Sequence, residues 1–205
     1  MTLPAPIPGI LGCPPLHQQP IRYRRRPWRG CNGVAIIGCG GSGKTTISRR
    51  LAAAIGTTAT HLDAVYYYDE WNTLPPEKFA AVQEEPVAAD TWVIDGNYAA
   101  TLPIRLQRAT RVIFLDLPAT TCLWGIAQRR WRYRGGQHNQ AGVYDRITWG
   151  FLTDIWGYRR EMAPRVRALL TEHAGHAQVH IVRSRRAANQ LTEQLHCGPS
   201  VGCLG

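Results

Sequence analysis

Apolar and polar positions fall into short alternating blocks along residues 33–196. Residues 33–38 read GVAIIG, a β-branched run with no polar break, which predicts a buried strand. From Lys44 to Ile55 the apolar positions Ile47, Leu51, Ala54 and Ile55 recur at helical spacing, with Arg49 and Arg50 off that face. TATHLD (58–63) predicts a second strand. Residues 76–89 predict a helix that opens near a proline and that Pro86 ends or bends. TWVIDG (91–96) and RVIFLDLP (111–118) predict two more strands, each closing on an aspartate. A helix follows from Thr120 to about Arg134, with Leu123, Ile126, Ala127 and Arg130 spaced by three and four. A loop then leads to a helix over roughly 144–172, open to a break at Pro164. A strand at 177–182 and a helix at 187–195 complete the pattern. Strands alternating with helices predict an α/β fold, with helices on both faces of a parallel five-stranded sheet.

The turn between the first strand and the first helix turns this pattern into chemistry. Residues 38–45 read GCGGSGKT and fit G-x-x-x-x-G-K-[ST] in the strand–turn–helix context the motif requires. Glycine at 38, 40, 41 and 43 lets the backbone adopt positive φ and come close to an anion. Successive N–H groups then converge as a nest above a helix N-terminus. The predicted ATP-binding set is Gly38, Cys39, Gly40, Gly41, Ser42, Gly43, Lys44, Thr45 and Thr46. Lys44 places an ammonium between β- and γ-phosphates, and the Thr45 hydroxyl is a Mg²⁺ ligand.

Carboxylates at the carboxyl ends of parallel strands face the ligand crevice. Asp95 is the candidate for the Mg²⁺ shell, directly or through water; Asp116 is divided between that role and a helix cap or other structural role. Asp63 is the candidate to orient or deprotonate an acceptor hydroxyl. Tyr66, Tyr67, Tyr68 and Trp71 follow it, as a pocket wall or as ordinary core. His61 reads as a core or supporting group, and His173, His176 and His180 do not have the spacing of a metal site.

Charge divides the chain. The net charge is +10 and the pI about 9.8, yet residues 1–30 alone hold Arg22, Arg24, Arg25, Arg26 and Arg29 with no acid. Closely spaced prolines there predict an extended arm over 1–32, outside a domain at 33–196, with a tail at 197–205. No run approaches the roughly 20 apolar residues of a membrane span, and the arm lacks the layout of a signal peptide. The six cysteines form neither C-x-x-C pairs nor zinc spacing, which favours a reduced, cytoplasmic protein.

Residues 129–137, RRWRYRGGQ, put basic and aromatic side chains before paired glycines. That pattern suits a nucleic-acid surface or a mobile lid that neutralises a transferred phosphoryl group. Its place downstream of the phosphate loop favours the lid, over about 129–148, with Arg130 and Arg134 as catalytic candidates and Arg159 on the next helix to meet them.

Several segments together resemble the adenylate-kinase-like P-loop kinases, most closely the bacterial proteins named as topology modulation or nucleotide kinases. They are AIIGCGGSGKTT, HLDAVYYYDEW, WVIDGNY, VIFLDLP, RRWRYRG and VHIVRSRRAANQLTEQL, in order over about 33–196. The resemblance implies a three-layer α/β/α P-loop NTPase fold with strand order 2-3-1-4-5, an ATP·Mg²⁺ site and a short arginine lid. Where adenylate kinase has D-G-F-P-R, this chain has Asp95-Gly96-Asn97-Tyr98, without the arginine that grips an acceptor phosphate. The expected activity is ATP-dependent phosphorylation of a small molecule, such as a nucleoside or nucleotide, by a monomer or weak dimer without membrane contact. The alternative is a P-loop NTPase associated with nucleic acid, for which the basic arm is the place to look.

Overall fold

The computed structural model describes residues 32–68, 72–133 and 147–197. Strand β1 (Gly33–Gly38) leads through the phosphate loop into α1 (Lys44–Ile55). There follow β2 (Ala59–His61), α2 (Leu62–Tyr66) and a small antiparallel pair, β3 (Tyr67–Tyr68) with β4 (Asn72–Thr73). Next come α3 (Pro76–Ala88), β5 (Trp92–Asp95), a single 3-10 turn at Ala99–Thr101 and α4 (Leu102–Leu106). The chain continues through β6 (Arg111–Leu115), α5 (Ala119–Tyr133), α6 (Trp149–His173), β7 (Gln178–Val182) and α7 (Arg185–Cys197).

The main sheet has the order β2-β5-β1-β6-β7 and is parallel throughout. Counting only its own strands along the chain, this is 2-3-1-4-5. Strand β1 runs down the middle with all six residues buried, as its unbroken apolar run requires. Ile36, Ile37, Val93, Ile94, Ile113 and Phe114 form the centre of the core, each contributing about 1.5–3 kcal/mol by burial. The two strands beside β1 are those that end at Asp95 and just before Asp116, which brings both carboxylates to the rim around the phosphate loop.

Some boundaries differ from the sequence reading. Strand two stops at His61, because Leu62 turns into the core and Leu62–Tyr66 coils as α2. Asp63 therefore sits in the first turn of a short helix rather than at a strand end. Pro86 lies within α3, which ends two residues later at Ala88. Helix α6 starts at Trp149 because the Thr148 hydroxyl accepts a hydrogen bond from the Phe151 N–H, at 3.2 Å. It runs through Pro164 without ending. The arm through residue 31, Trp71, Arg134, the Gly135–Gly136 pair and the tail from 198 lie outside the described residues.

Candidate functional site

At the mouth of the sheet, Gly41 (φ 74°) and Gly43 (φ 96°) adopt the left-handed conformation that a side chain disfavours. At Gly41 space is limiting as well. A Cβ there would lie 2.2 Å from the Cys122 carbonyl oxygen and 2.8 Å from Ile126, so α5 packs directly on the loop. Gly43 has open space around the Cβ position, on the side where an anion would approach. Phe151 and Ile155 of α6 cover Gly40. Arg185, at the start of α7, donates to the Gly41 carbonyl (3.2 Å), the Thr121 carbonyl (3.1 Å) and Gln128 Oε1 (2.9 Å). The loop is thus held from three helices before any ligand binds.

Within this frame Lys44 is buried, and its Nζ donates to the Cys39 carbonyl at 3.0 Å. The ammonium folds back over the loop, where phosphate oxygens can replace that carbonyl. The Ser42 hydroxyl is buried without a hydrogen-bond partner, an orphan group facing the loop it belongs to. Thr45, on the first turn of α1, is half-buried.

Asp95 is almost fully buried and is engaged on one oxygen. Its Oδ2 accepts from the Ser48 hydroxyl and from His61 Nδ1, each at 2.5 Å. Arg49 Nε lies 3.4 Å from His61 Nε2, on the side of the ring away from Asp95. Oδ1 takes no partner among the described residues.

Asp63 accepts a hydrogen bond from the Tyr98 hydroxyl at 2.9 Å on Oδ1. Tyr98, Tyr66 and Phe79 pack edge-on or tilted, with ring centroids 4.7–4.8 Å apart. Tyr66 therefore does join an aromatic cluster beside Asp63, while the side chains of Tyr67 and Tyr68 are outside the description. Asn97 accepts from the Tyr158 hydroxyl at 2.9 Å, and burial pushes the Tyr158 phenol well above its ordinary range.

Asp116 is completely buried and ion-paired with Arg159 (Nε to Oδ1, 3.2 Å) and Arg167 (Nη2 to Oδ2, 2.5 Å). Its partners are these two arginines of α6, which is the structural role in the form of ion pairs and not a helix cap. Arg159, expected to meet the lid, is held on this carboxylate. Arg130 lies on the last turn of α5 with an exposed side chain.

Four groups escaped the sequence reading. Ser48 and Arg185 act on partners 47 and 144 positions away. Tyr158 meets Asn97 across 61 positions. Arg105 is fully buried, donating to the carbonyls of Gly96 (3.0 Å) and Tyr98 (3.4 Å), with Nε unpartnered. Burial lowers its pKa to about 10, opposed by the nearby Asp95, Tyr98 and Asp63. It supports the Gly96–Tyr98 segment from beneath; no sequence spacing signals that.

The parallel 2-3-1-4-5 sheet with a glycine-rich loop between β1 and α1 defines the P-loop kinase type of α/β fold. Shikimate kinase from Acinetobacter baumannii, solved with shikimate, superposes with a TM-score of 0.51 at 20% identity, covering 82% of this chain and 92% of that one. An inferred kinase from Chloroflexus aurantiacus gives 0.50 at 15% identity, covering 80% and 97%. A sugar kinase from a Janibacter species gives 0.47 at 16% identity over 80% and 92%, too distant to add to the assignment. No protein-family profile matches the chain, and no curated protein matches it either. The likeness is one of fold.

Proposed function

We propose that this protein is an ATP-dependent kinase that transfers the γ-phosphoryl group to a hydroxyl of a small molecule. The observation that carries the reading is the pairing of two sites at the same end of the sheet, one strand apart. A braced phosphate loop ends β1, and a carboxylate with one free oxygen, Asp63, follows β2. Strand β5 lies between them and presents Asp95.

Each side chain then has a task. The loop N–H groups and Lys44 hold the β- and γ-phosphates, and the orphan Ser42 hydroxyl gains an anionic acceptor. The donor set fits Mg²⁺: the Thr45 hydroxyl and Asp95 Oδ1 are hard oxygen ligands on the loop side. A Mg²⁺ held by these two oxygens would supply positive charge against the charge that develops during transfer. Ser48 and His61 hold the Asp95 carboxyl group fixed in direction. Asp63 accepts the acceptor hydroxyl's proton on Oδ2, while Tyr98 orients the carboxylate through Oδ1. Arg130, at the end of α5, closes over the transferred group.

A hydroxyl of a small metabolite or nucleoside is the acceptor class, and a shikimate kinase, whose acceptor is of that kind, shares the fold. The test is an acceptor screen for ADP release, over nucleosides, nucleoside monophosphates and hydroxylated metabolites. Acceptor-dependent ADP that disappears in Lys44→Ala supports the reading. Equal turnover by the variant removes it.

A further inference from the structure

Four of the seven tryptophans stand exposed on two adjacent helices. Trp124 (60% exposed) and Trp131 (77%) lie seven residues apart on α5; Trp149 (84%) and Trp156 (63%) lie seven apart on α6. Seven residues bring a helix back to nearly the same face about 10 Å further on, so each helix presents two indoles in one row. Trp92, by contrast, is buried in the core. Soluble proteins seldom leave such rings in water without use for them.

The two rows belong to one surface. Helices α5 and α6 pack against each other. Trp149, Trp156, Arg160 and Arg167 form a single stripe along α6, and Arg167 reaches Asp116, three residues before α5 begins. The Arg167 end of that stripe thus lies beside the start of α5. Asp154 and Glu161, the exposed acids of α6 near these rings, project from another face. Helix α5 has no acid in its fifteen residues, and Arg130 and Arg132 flank its indole row with exposed side chains.

We infer that this tryptophan–arginine face of α5 and α6 binds single-stranded nucleic acid, with bases stacked on the indoles and phosphates held by Arg132 and Arg160. The charge selects a polyanion, and the flat rings select unpaired bases over a closed duplex. A lipid surface fits less well. The aliphatic and phenyl side chains of these helices, Ile126, Leu123, Phe151 and Ile155, turn to the core and leave no continuous apolar stripe to insert. A second copy would set arginines against arginines across a two-fold axis. The inference is independent of the kinase reading.

The test uses the full chain and an oligothymidylate of about a dozen nucleotides, followed by tryptophan fluorescence. The expected result is saturable quenching that weakens with salt, and an affinity about tenfold lower or more in Trp124→Ala/Trp156→Ala. Both positions are on the surface, so the thermal transition of the variant should stay in place. Arg132→Gln/Arg160→Gln should flatten the salt dependence. Several results would overturn the inference: no quenching, equal affinity in the tryptophan variant, or equal binding of a duplex of the same length. Quenching by phosphatidylserine vesicles in place of the oligonucleotide would do so as well, as would self-association that hides the indoles.

Discussion

His61 Nδ1 and the Ser48 hydroxyl converge on the same oxygen of Asp95, each at 2.5 Å. The Asp95 side chain is nearly inaccessible, so these two donors and not water satisfy that oxygen. Removing one donor should therefore cost stability and also let the carboxylate swing. Ser48→Ala should destabilise the fold by about 1–3 kcal/mol, measured by urea unfolding. It should also raise the Mg²⁺ concentration needed for half-maximal activity, whereas a purely structural serine would leave that requirement unchanged.

Arg105 gives a second expectation. Its guanidinium holds the carbonyls of Gly96 and Tyr98 from inside the core. Arg105→Met leaves both carbonyls without that donor and should cost about 2–5 kcal/mol. Arg105→Lys should rescue little, because a single ammonium does not span two carbonyls as a planar fork does. Equal stability of the three proteins in urea would show that water satisfies the segment instead.

The two left-handed glycines of the loop should respond differently. Gly43→Ala meets open space and carries only conformational strain, about 1–2 kcal/mol. Gly41→Ala carries the same strain and drives a methyl into the Cys122 carbonyl, so α5 must retreat. The thermal midpoint should therefore fall further for Gly41→Ala than for Gly43→Ala, and the reverse order would contradict the packing of α5 on the loop.

His180 on β7 provides a pH dependence. Burial lowers its pKa below 6.5, with nearby Arg111 adding to the shift, and its Nε2 is buried without a partner. The unfolded chain takes up a proton near pH 6.5 that the folded protein resists. Stability is thus present above that pH and is lost as pH falls through the lowered folded value. His180→Gln should flatten the stability profile between about pH 7 and 5. An unchanged slope in denaturant titrations would assign the acid sensitivity to other groups.

What the sequence disclosed followed the range of the interaction. The phosphate loop was legible because its glycines, Lys44 and Thr45 are contiguous and lie between a buried run and an amphipathic one. Strand β1 was legible because burial on both faces leaves no polar position in it. The site's supports were not, since Ser48, Arg105, Tyr158 and Arg185 find partners that only the folded sheet brings near. Asp116 shows the same limit from the other side. A strand-end aspartate has the same local sequence whether it meets a metal or two arginines of a distant helix, and here it meets Arg159 and Arg167. The short α2 was missed because Leu62 is apolar enough to continue a strand, and only its burial shows where the strand stops.

The most direct test of the central claim is transfer of labelled γ-phosphate from ATP to an acceptor found in the screen, for the intact protein, Lys44→Ala and Asp63→Asn. Label is expected in the acceptor with the intact protein and none above background with Lys44→Ala. With Asp63→Asn, transfer should fall by about 10²-fold or more, with ATP affinity nearly intact. Transfer that survives in Lys44→Ala, or an Asp63→Asn protein as active as the original, would contradict that claim.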